Sequence, residues 1–350
     1  MGQLKANFSL NGRLNWEVHS LKKSWLEQNI KEFKSSHSSS SPGKIDISIT
    51  QKKQLEIPSD VENVSQGIDG LSDCIFIHDK YSSKKASFQM THSGYIFFVE
   101  EGFTFYYYAA LLDALIKLIA FRKGIVSLHA SAIKKDNCVS IFTAGRRMGK
   151  TIMILNILNQ NNDVEILADD ALMMTQEGKI IPYLRGIDLF SYLPIPMSYL
   201  TYREKLKRKL ARLSRKFMPL PNRITTKIIN RFFLVRMNLA SHGHGRSSQF
   251  ESVDRTYILK KHVKSDSRMS EISENNAKKF IGESSYVEIK EYQSLFAQVC
   301  TIFPDSRFSE LIISYTDFQR EIDHISSNTK YEELLLAEDF SDIEKIALVI

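Results

Sequence analysis

Residues 138–151 read Cys138-Val139-Ser140-Ile141-Phe142-Thr143-Ala144-Gly145-Arg146-Arg147-Met148-Gly149-Lys150-Thr151. The first six are β-branched or apolar enough for a buried strand. The last eight fit the permissive form of a phosphate-cradling loop: a small residue, four free positions, then Gly-Lys-Thr. An apolar run from Thr151 to Leu158 follows at helical composition. Such a loop works only at a strand-to-helix junction, where backbone N–H groups and the positive end of the helix converge on a polyphosphate. In that setting Lys150 is a point charge for the β- and γ-phosphates, and the Thr151 hydroxyl is a ligand for Mg²⁺. Residues Ala144 to Thr151 are therefore candidate binding residues for ATP or GTP.

Downstream, Val164-Glu165-Ile166-Leu167-Ala168 reads as a short strand that ends in Asp169-Asp170. Two adjacent carboxylates beyond an apolar strand are costly unless they hold a cation or accept a proton. The 20-residue separation of Lys150 and Asp170 leaves room for a helix and a returning strand, which brings the pair to the sheet edge that carries the loop. One Asp can then bind metal and the other accept a proton from an attacking hydroxyl. Upstream, His129 lies within Leu128-His129-Ala130-Ser131-Ala132. A histidine inside a β-run is more often a satisfied core residue than a catalytic one, so its weight comes from its company.

That company is informative. His-small-Ser-Ala, a hairpin, the phosphate loop, a helix, a strand and Asp-Asp, with 21 residues from His129 to Lys150, resembles the HPr serine kinase/phosphorylase family. The same order is similar to the core of phosphoenolpyruvate carboxykinases, which share that family's fold. The resemblance covers about residues 103–190, with weaker echoes to about residue 290, and Tyr183, Arg185 and Gly186 faintly resemble the Arg-Gly segment that follows the carboxylates in that family. It implies an α/β phosphoenolpyruvate carboxykinase/HPr-kinase-like P-loop core with a mixed sheet and flanking helices. It further implies that Lys150 and Thr151 carry phosphates and Mg²⁺, that Asp169 and Asp170 divide base and metal duties, and that His129 lies beside the γ-phosphate. The catalytic set is thus Asp169, Asp170, His129 and Lys150. Family loops read Gly-x-Ser-Gly-x-Gly-Lys, whereas this one begins with Ala144 and has Arg147 at the middle glycine. No signature of the HPr-directed enzymes appears near the C-terminus. The layout is closer to the divergent kinases that phosphorylate a serine of a lasso-peptide precursor. The implied function is an ATP-dependent protein or peptide serine kinase. A nucleotide-binding sensor or scaffold, and a small-molecule kinase or carboxykinase-like enzyme, are the alternatives.

The rest of the chain bounds these readings. At 350 residues and 43% hydrophobic it can build a large core, and its formal charge is +7. Eight basic residues between Arg203 and Lys216 stand against Glu204 alone, so that stretch carries the whole excess. Basicity is a local feature, and poor aromatic interleaving argues against nucleic acid. The stretch suits a solvated helix face or a docking site for an acidic peptide substrate. No uncharged apolar run is long enough for a membrane span; Phe103 to Phe121 contains Asp113 and Lys117, which would pair four apart on a helix. Cys74, Cys138 and Cys300 show no metal-type spacing and read as free thiols. With no secretory-type leader in view, the expected location is cytoplasmic. The family likeness also allows a homo-oligomer.

Composition divides the chain at about residue 102. Residues 1–102 read as a small antiparallel α+β module, with an amphipathic helix over 20–34, a Ser-rich linker over 35–43, and strands at 45–50, 74–78, 86–92 and 95–100. Residues 103–350 read as the kinase-like domain with a basic helical insertion near 195–250. Within it, 125–133 is expected to be one strand, 171–175, 179–183, 256–260 and 311–315 strands, and the last 20 residues an acidic helix or tail. His242-Gly243-His244-Gly245-Arg246 reads as a mobile loop that could cover the site.

Overall fold

The computed structural model describes residues 4–10, 12–33, 36–38, 43–80, 82–145, 148–161, 163–183, 187–189, 202, 205–206, 209–210, 235–237, 251–262, 267–325 and 329–337. Strands β1 (Leu4–Leu10) and β2 (Leu14–Ser20) open the chain as a hairpin about Gly12, whose φ of +78° only glycine adopts freely. Phe8, Leu10, Trp16 and Val18 alternate into the core. Helix α1 (Lys23–Glu32) lays Trp25 and Leu26 on this hairpin. The remaining strands of the first sheet are β3 (His37–Ser38), β4 (Ile47–Lys52), β5 (Glu62–Ser65), β6 (Ile68–Gly70), β7 (Cys74–His78), β8 (Lys85–Thr91) and β9 (Gly94–Glu100). Their order is β3-β1-β2-β4-β9-β8-β7-β6-β5. The expected antiparallel module is corrected to a mixed sheet, because β4 runs parallel to both β2 and β9. The α1 crossover makes the first of those pairings possible, since a parallel neighbour cannot be reached through a tight turn.

Helix α2 (Phe105–Phe121) is apolar nearly all round and accordingly buried. Its Asp113 and Lys117 pair at 2.8 Å as expected, and Asp113 also accepts from the Tyr183 hydroxyl at 2.9 Å. Gly124, with φ of +70°, turns the chain into β10 (Ile125–Leu128). The single strand expected over 125–133 is in fact two. β10 ends at Leu128, and β11 (Ala130–Lys135) begins in a different sheet. Next come β12 (Cys138–Ala144), α3 (Lys150–Gln160), β13 (Glu165–Ala168), β14 (Leu172–Thr175) and β15 (Lys179–Ile181). Asp136 and Asn137 both have positive φ and close the β11–β12 hairpin.

β16 (Ile187–Leu189) and β17 (Val235–Met237) pair with each other, so Val235–Met237 is a strand where helix was expected. Lys205, Leu206, Lys209 and Leu210 are helical. The remainder of the basic run 203–216, Arg185, the loop 241–248 and residues 338–350 lie outside the described residues. β18 (Glu251–Ser252), β19 (Arg255–His262), β20 (Arg268–Glu271), α4 (Glu274–Ile302), a 3₁₀ turn (Arg307–Leu311), α5 (Tyr315–His324) and β21 (Lys330–Ala337) complete the chain.

The strand expected at 311–315 is replaced by the end of the 3₁₀ turn and the start of α5. The Ser306 and Ser314 hydroxyls cap the two, accepting from the Phe308 and Asp317 N–H groups. The start of the expected acidic tail is strand β21, which lies parallel to β19 and buries Leu334 and Leu336. One four-stranded sheet runs β10-β14-β15-β18, and one six-stranded sheet runs β13-β11-β12-β19-β21-β20. A contiguous core joins Phe8 and Trp16 through Leu112 to Phe296 and Phe308. A second core of Phe142, Ile154, Leu158, Tyr257 and Leu336 packs α3 on the six-stranded sheet. No helix among the described residues is long and apolar enough to cross a membrane. Cys74, Cys138 and Cys300 are all free.

Candidate functional site at a two-sheet corner

Three segments meet at one edge of the six-stranded sheet. β12 delivers Ala144 and Gly145 there; β11, antiparallel to it, starts there, with Ala130 opposite Thr143. β13 is antiparallel to β11, with Ala168 opposite Ala132, so Asp169 emerges at the same edge. At this edge two crossings pass from one sheet to the other. The chain leaves β10 for β11 at His129, and leaves β13 for β14 at Asp169-Asp170. A residue between paired strands belongs to neither ladder, which frees its backbone and aims its side chain into the corner.

The loop turns into α3 through Gly149, whose φ of +99° is a left-handed conformation. The N-cap of α3, Gly149, has no side chain with which to cap the helix, whose first-turn N–H groups lie at the loop. Lys150 is 6% exposed and its Nζ donates to His129 Nε2 at 2.6 Å, with the Ala144 carbonyl at 3.4 Å. Burial depresses the Lys150 pKa, and Asp170, Asp169 and Glu288 oppose that shift. Burial, and then the Lys150 charge, also lower the His129 pKa. An ammonium can only donate, which assigns the tautomer. A neutral ring accepts from Lys150 at Nε2, and its Nδ1–H donates to the Asp170 carbonyl at 3.3 Å. The Asp170 carboxylate lies 3.5 Å from the same Nδ1.

Asp169 and Asp170 occupy unlike environments. Asp169 is buried; its Oδ1 accepts from Ser131 Oγ at 2.5 Å and its Oδ2 from Thr151 Oγ1 at 3.4 Å. Burial, then the neighbouring Asp170, raise its pKa to about 6 despite those hydroxyls and Lys150. Asp170 has φ of +64°, a strained value for a residue with a side chain, and its carboxylate is 68% exposed. The turn therefore presents one carboxylate inward and one outward.

Ala144, Gly145, Met148, Gly149, Lys150, Thr151, His129, Asp169 and Asp170 are thus brought together, whereas Arg146 and Arg147 lie outside the described residues. Three further residues escaped the sequence reading. Ser131, quoted only as part of a motif, holds the buried carboxylate. Ser285 Oγ of α4 accepts from the His129 N–H at 2.9 Å, and Glu288, one turn on, places Oε1 3.7 Å from His129 Nε2. The only sequence signal for the last two is polar residues three apart on the inner face of an amphipathic helix.

A carboxylate flanked by hydroxyls is a hard-oxygen donor set of the kind Mg²⁺ prefers. Among the described residues no three His, Cys, Asp or Glu side chains converge into a metal cage, so a cation here would need phosphate or water oxygens as further ligands. The chain matches no protein-family model and no curated protein sequence.

Proposed function

We propose that this protein is a Mg²⁺-dependent, ATP- or GTP-using kinase that phosphorylates a serine hydroxyl on a protein or peptide, with an HPr-kinase-like core. One observation carries the reading. Ser131 and Thr151 converge on Asp169, while Lys150 and Asp170 converge on His129, all at a strand-to-helix loop. The loop N–H groups and the start of α3 would receive the polyphosphate, and Lys150 would turn from His129 to the β- and γ-phosphates. Thr151 and Asp169 would hold Mg²⁺, which neutralises charge on the phosphate oxygens. Asp169 suits that role because it is buried and already bonded to the Thr151 hydroxyl.

Asp170 suits the other role. Its exposed carboxylate can reach an incoming hydroxyl, and the Asp170 backbone is fixed by the His129 ring. It would take the proton as the hydroxyl oxygen bonds to the γ-phosphorus and the bridging oxygen departs with the nucleoside diphosphate. A peptide acceptor fits an outward-facing base, and the basic run 203–216 remains the expected docking segment.

The test is phosphoryl transfer from γ-labelled ATP to candidate peptides, read by mass shift. Lys150→Ala, Asp169→Asn and Asp170→Asn should each lose on the order of 10²–10⁴-fold in turnover. Equal transfer by all four proteins would sink the assignment. Tight nucleotide binding with no turnover on any acceptor would favour a sensor.

A further inference from the structure

Helix α4 begins 123 residues after Thr151, yet one of its faces closes the site. Ser285 pins that face to the sheet crossing by accepting from the buried His129 N–H at 2.9 Å. Glu288, three residues on and thus on the same face, is a quarter exposed, with its Oε1 3.7 Å from His129 Nε2. That nitrogen is the one that accepts from Lys150 at 2.6 Å. The Lys150 ammonium, the neutral imidazole and the Glu288 carboxylate therefore meet at one atom, and Asp170 holds the opposite edge of the ring.

We propose that Glu288 is a positioning residue of this site: its charge beside the Lys150–His129 contact holds Lys150 at rest and sets how readily a polyphosphate draws that lysine away. The inference rests on the nucleotide-binding reading above. A carboxylate beside a buried ammonium stabilises its charge where it stands. The same carboxylate repels an arriving polyphosphate. Both effects oppose nucleotide binding in the resting protein, and removing the charge should relieve both. Once Lys150 has left, Nε2 can carry the ring proton and the Glu288 carboxylate is its charged acceptor, so with Gln in that place His129 would be held less firmly. Affinity and turnover should move in opposite senses, a pattern that simple damage to α4 does not produce.

The experiment uses the full chain, with Glu288→Gln, Glu288→Asp and, as a control, Glu283→Gln on an exposed part of the same helix. Mg·ADP binding is measured by calorimetry. The ¹⁵N imidazole resonances are recorded without nucleotide, His129 being identified by its loss in His129→Gln. Glu288→Gln should tighten ADP binding about three- to tenfold and lower kcat on any accepted peptide. It should also shift the His129 Nε2 resonance. Glu288→Asp, which keeps the charge, should fall between it and wild type and serves if the Gln variant does not fold. Glu283→Gln should change neither. Wild-type ADP affinity together with an unmoved His129 resonance in Glu288→Gln would overturn the proposal, as would equal weakening of ADP binding in both Gln variants. If wild type binds no nucleotide, the kinase reading fails on its own, and the His129 resonance alone decides Glu288.

Discussion

Asp169 shows how much a single residue's surroundings can do. Its carboxylate is buried and held by two hydroxyls, and its pKa rises from the ordinary 3.8 to about 6. Between those values the unfolded chain has shed a proton that the folded chain keeps. In metal-free protein, raising the pH from 3.8 through about 6 should therefore withdraw stability, by at most roughly 3 kcal/mol. Asp169→Asn should flatten this part of the profile, as read from the difference in Tm between variant and wild type in EDTA. An identical pH dependence in the two proteins would show that the carboxylate ionises normally. Ser131→Ala tests the same group from the other side. It removes the 2.5 Å donor to Asp169 and should cost about 1–3 kcal/mol above pH 6, with a smaller loss once Asp169 is protonated. His129 illustrates the reverse case. Taken alone, a histidine inside a β-run reads as a core residue, and the structure sets its ring against Lys150.

Elements are fixed by turn chemistry and by what they meet. Ser93-Gly94 between two strand-like runs makes the β8–β9 hairpin legible in the sequence, but the tighter constraint on Gly94 comes from Asp46, just before β4. A Cβ at Gly94 would stand 2.6 Å from the Asp46 carbonyl oxygen, at φ of +154°. Gly94→Ala should thus cost on the order of 2 kcal/mol or more in denaturant unfolding, through misplacement of the parallel β4–β9 pair. Tyr183→Phe should cost about 1–2 kcal/mol, since it removes a buried donor from Asp113 while Lys117 remains. The opening hairpin could have been found from Asn11-Gly12 between alternating apolar residues. The strand β21 could not, because Glu332-Glu333-Leu334-Leu335-Leu336 carries no strand period. Its strand state follows from a place in the sheet beside β19, with Lys260 paired to Glu333 across the ladder.

At the scale of the molecule, the nine-stranded sheet and the rest of the chain share a core. Phe88 of β8 meets Phe296 of α4 and Phe308 at centroid distances of 6.1 and 5.9 Å. Ser306 Oγ donates to the Ser72 carbonyl, and Lys123 donates to the Arg13 carbonyl at 3.0 Å and pairs with Asp46 at 2.7 Å. Phe296→Ala should therefore destabilise the whole molecule by about 3–5 kcal/mol in a single unfolding transition, seen alike by Trp fluorescence of the N-terminal sheet and by circular dichroism. Two separated transitions would mean that residues 1–102 fold as an independent unit.

Sequence by itself determined the pieces of the site: the strand, loop and helix around Lys150, the strand into Asp169-Asp170, and the helical and turn segments whose periodicity or glycines announce them. These are local properties, set by side-chain spacing and backbone freedom within a few residues. Tertiary structure alone decided that the run 125–133 breaks at His129, that Asp169 turns inward and Asp170 outward, and that α4 brings Ser285 and Glu288 to a histidine 156 and 159 residues earlier in the chain. Which sheet a strand joins, and which helix covers its edge, depends on apolar surface contributed by distant segments. No local pattern records that choice.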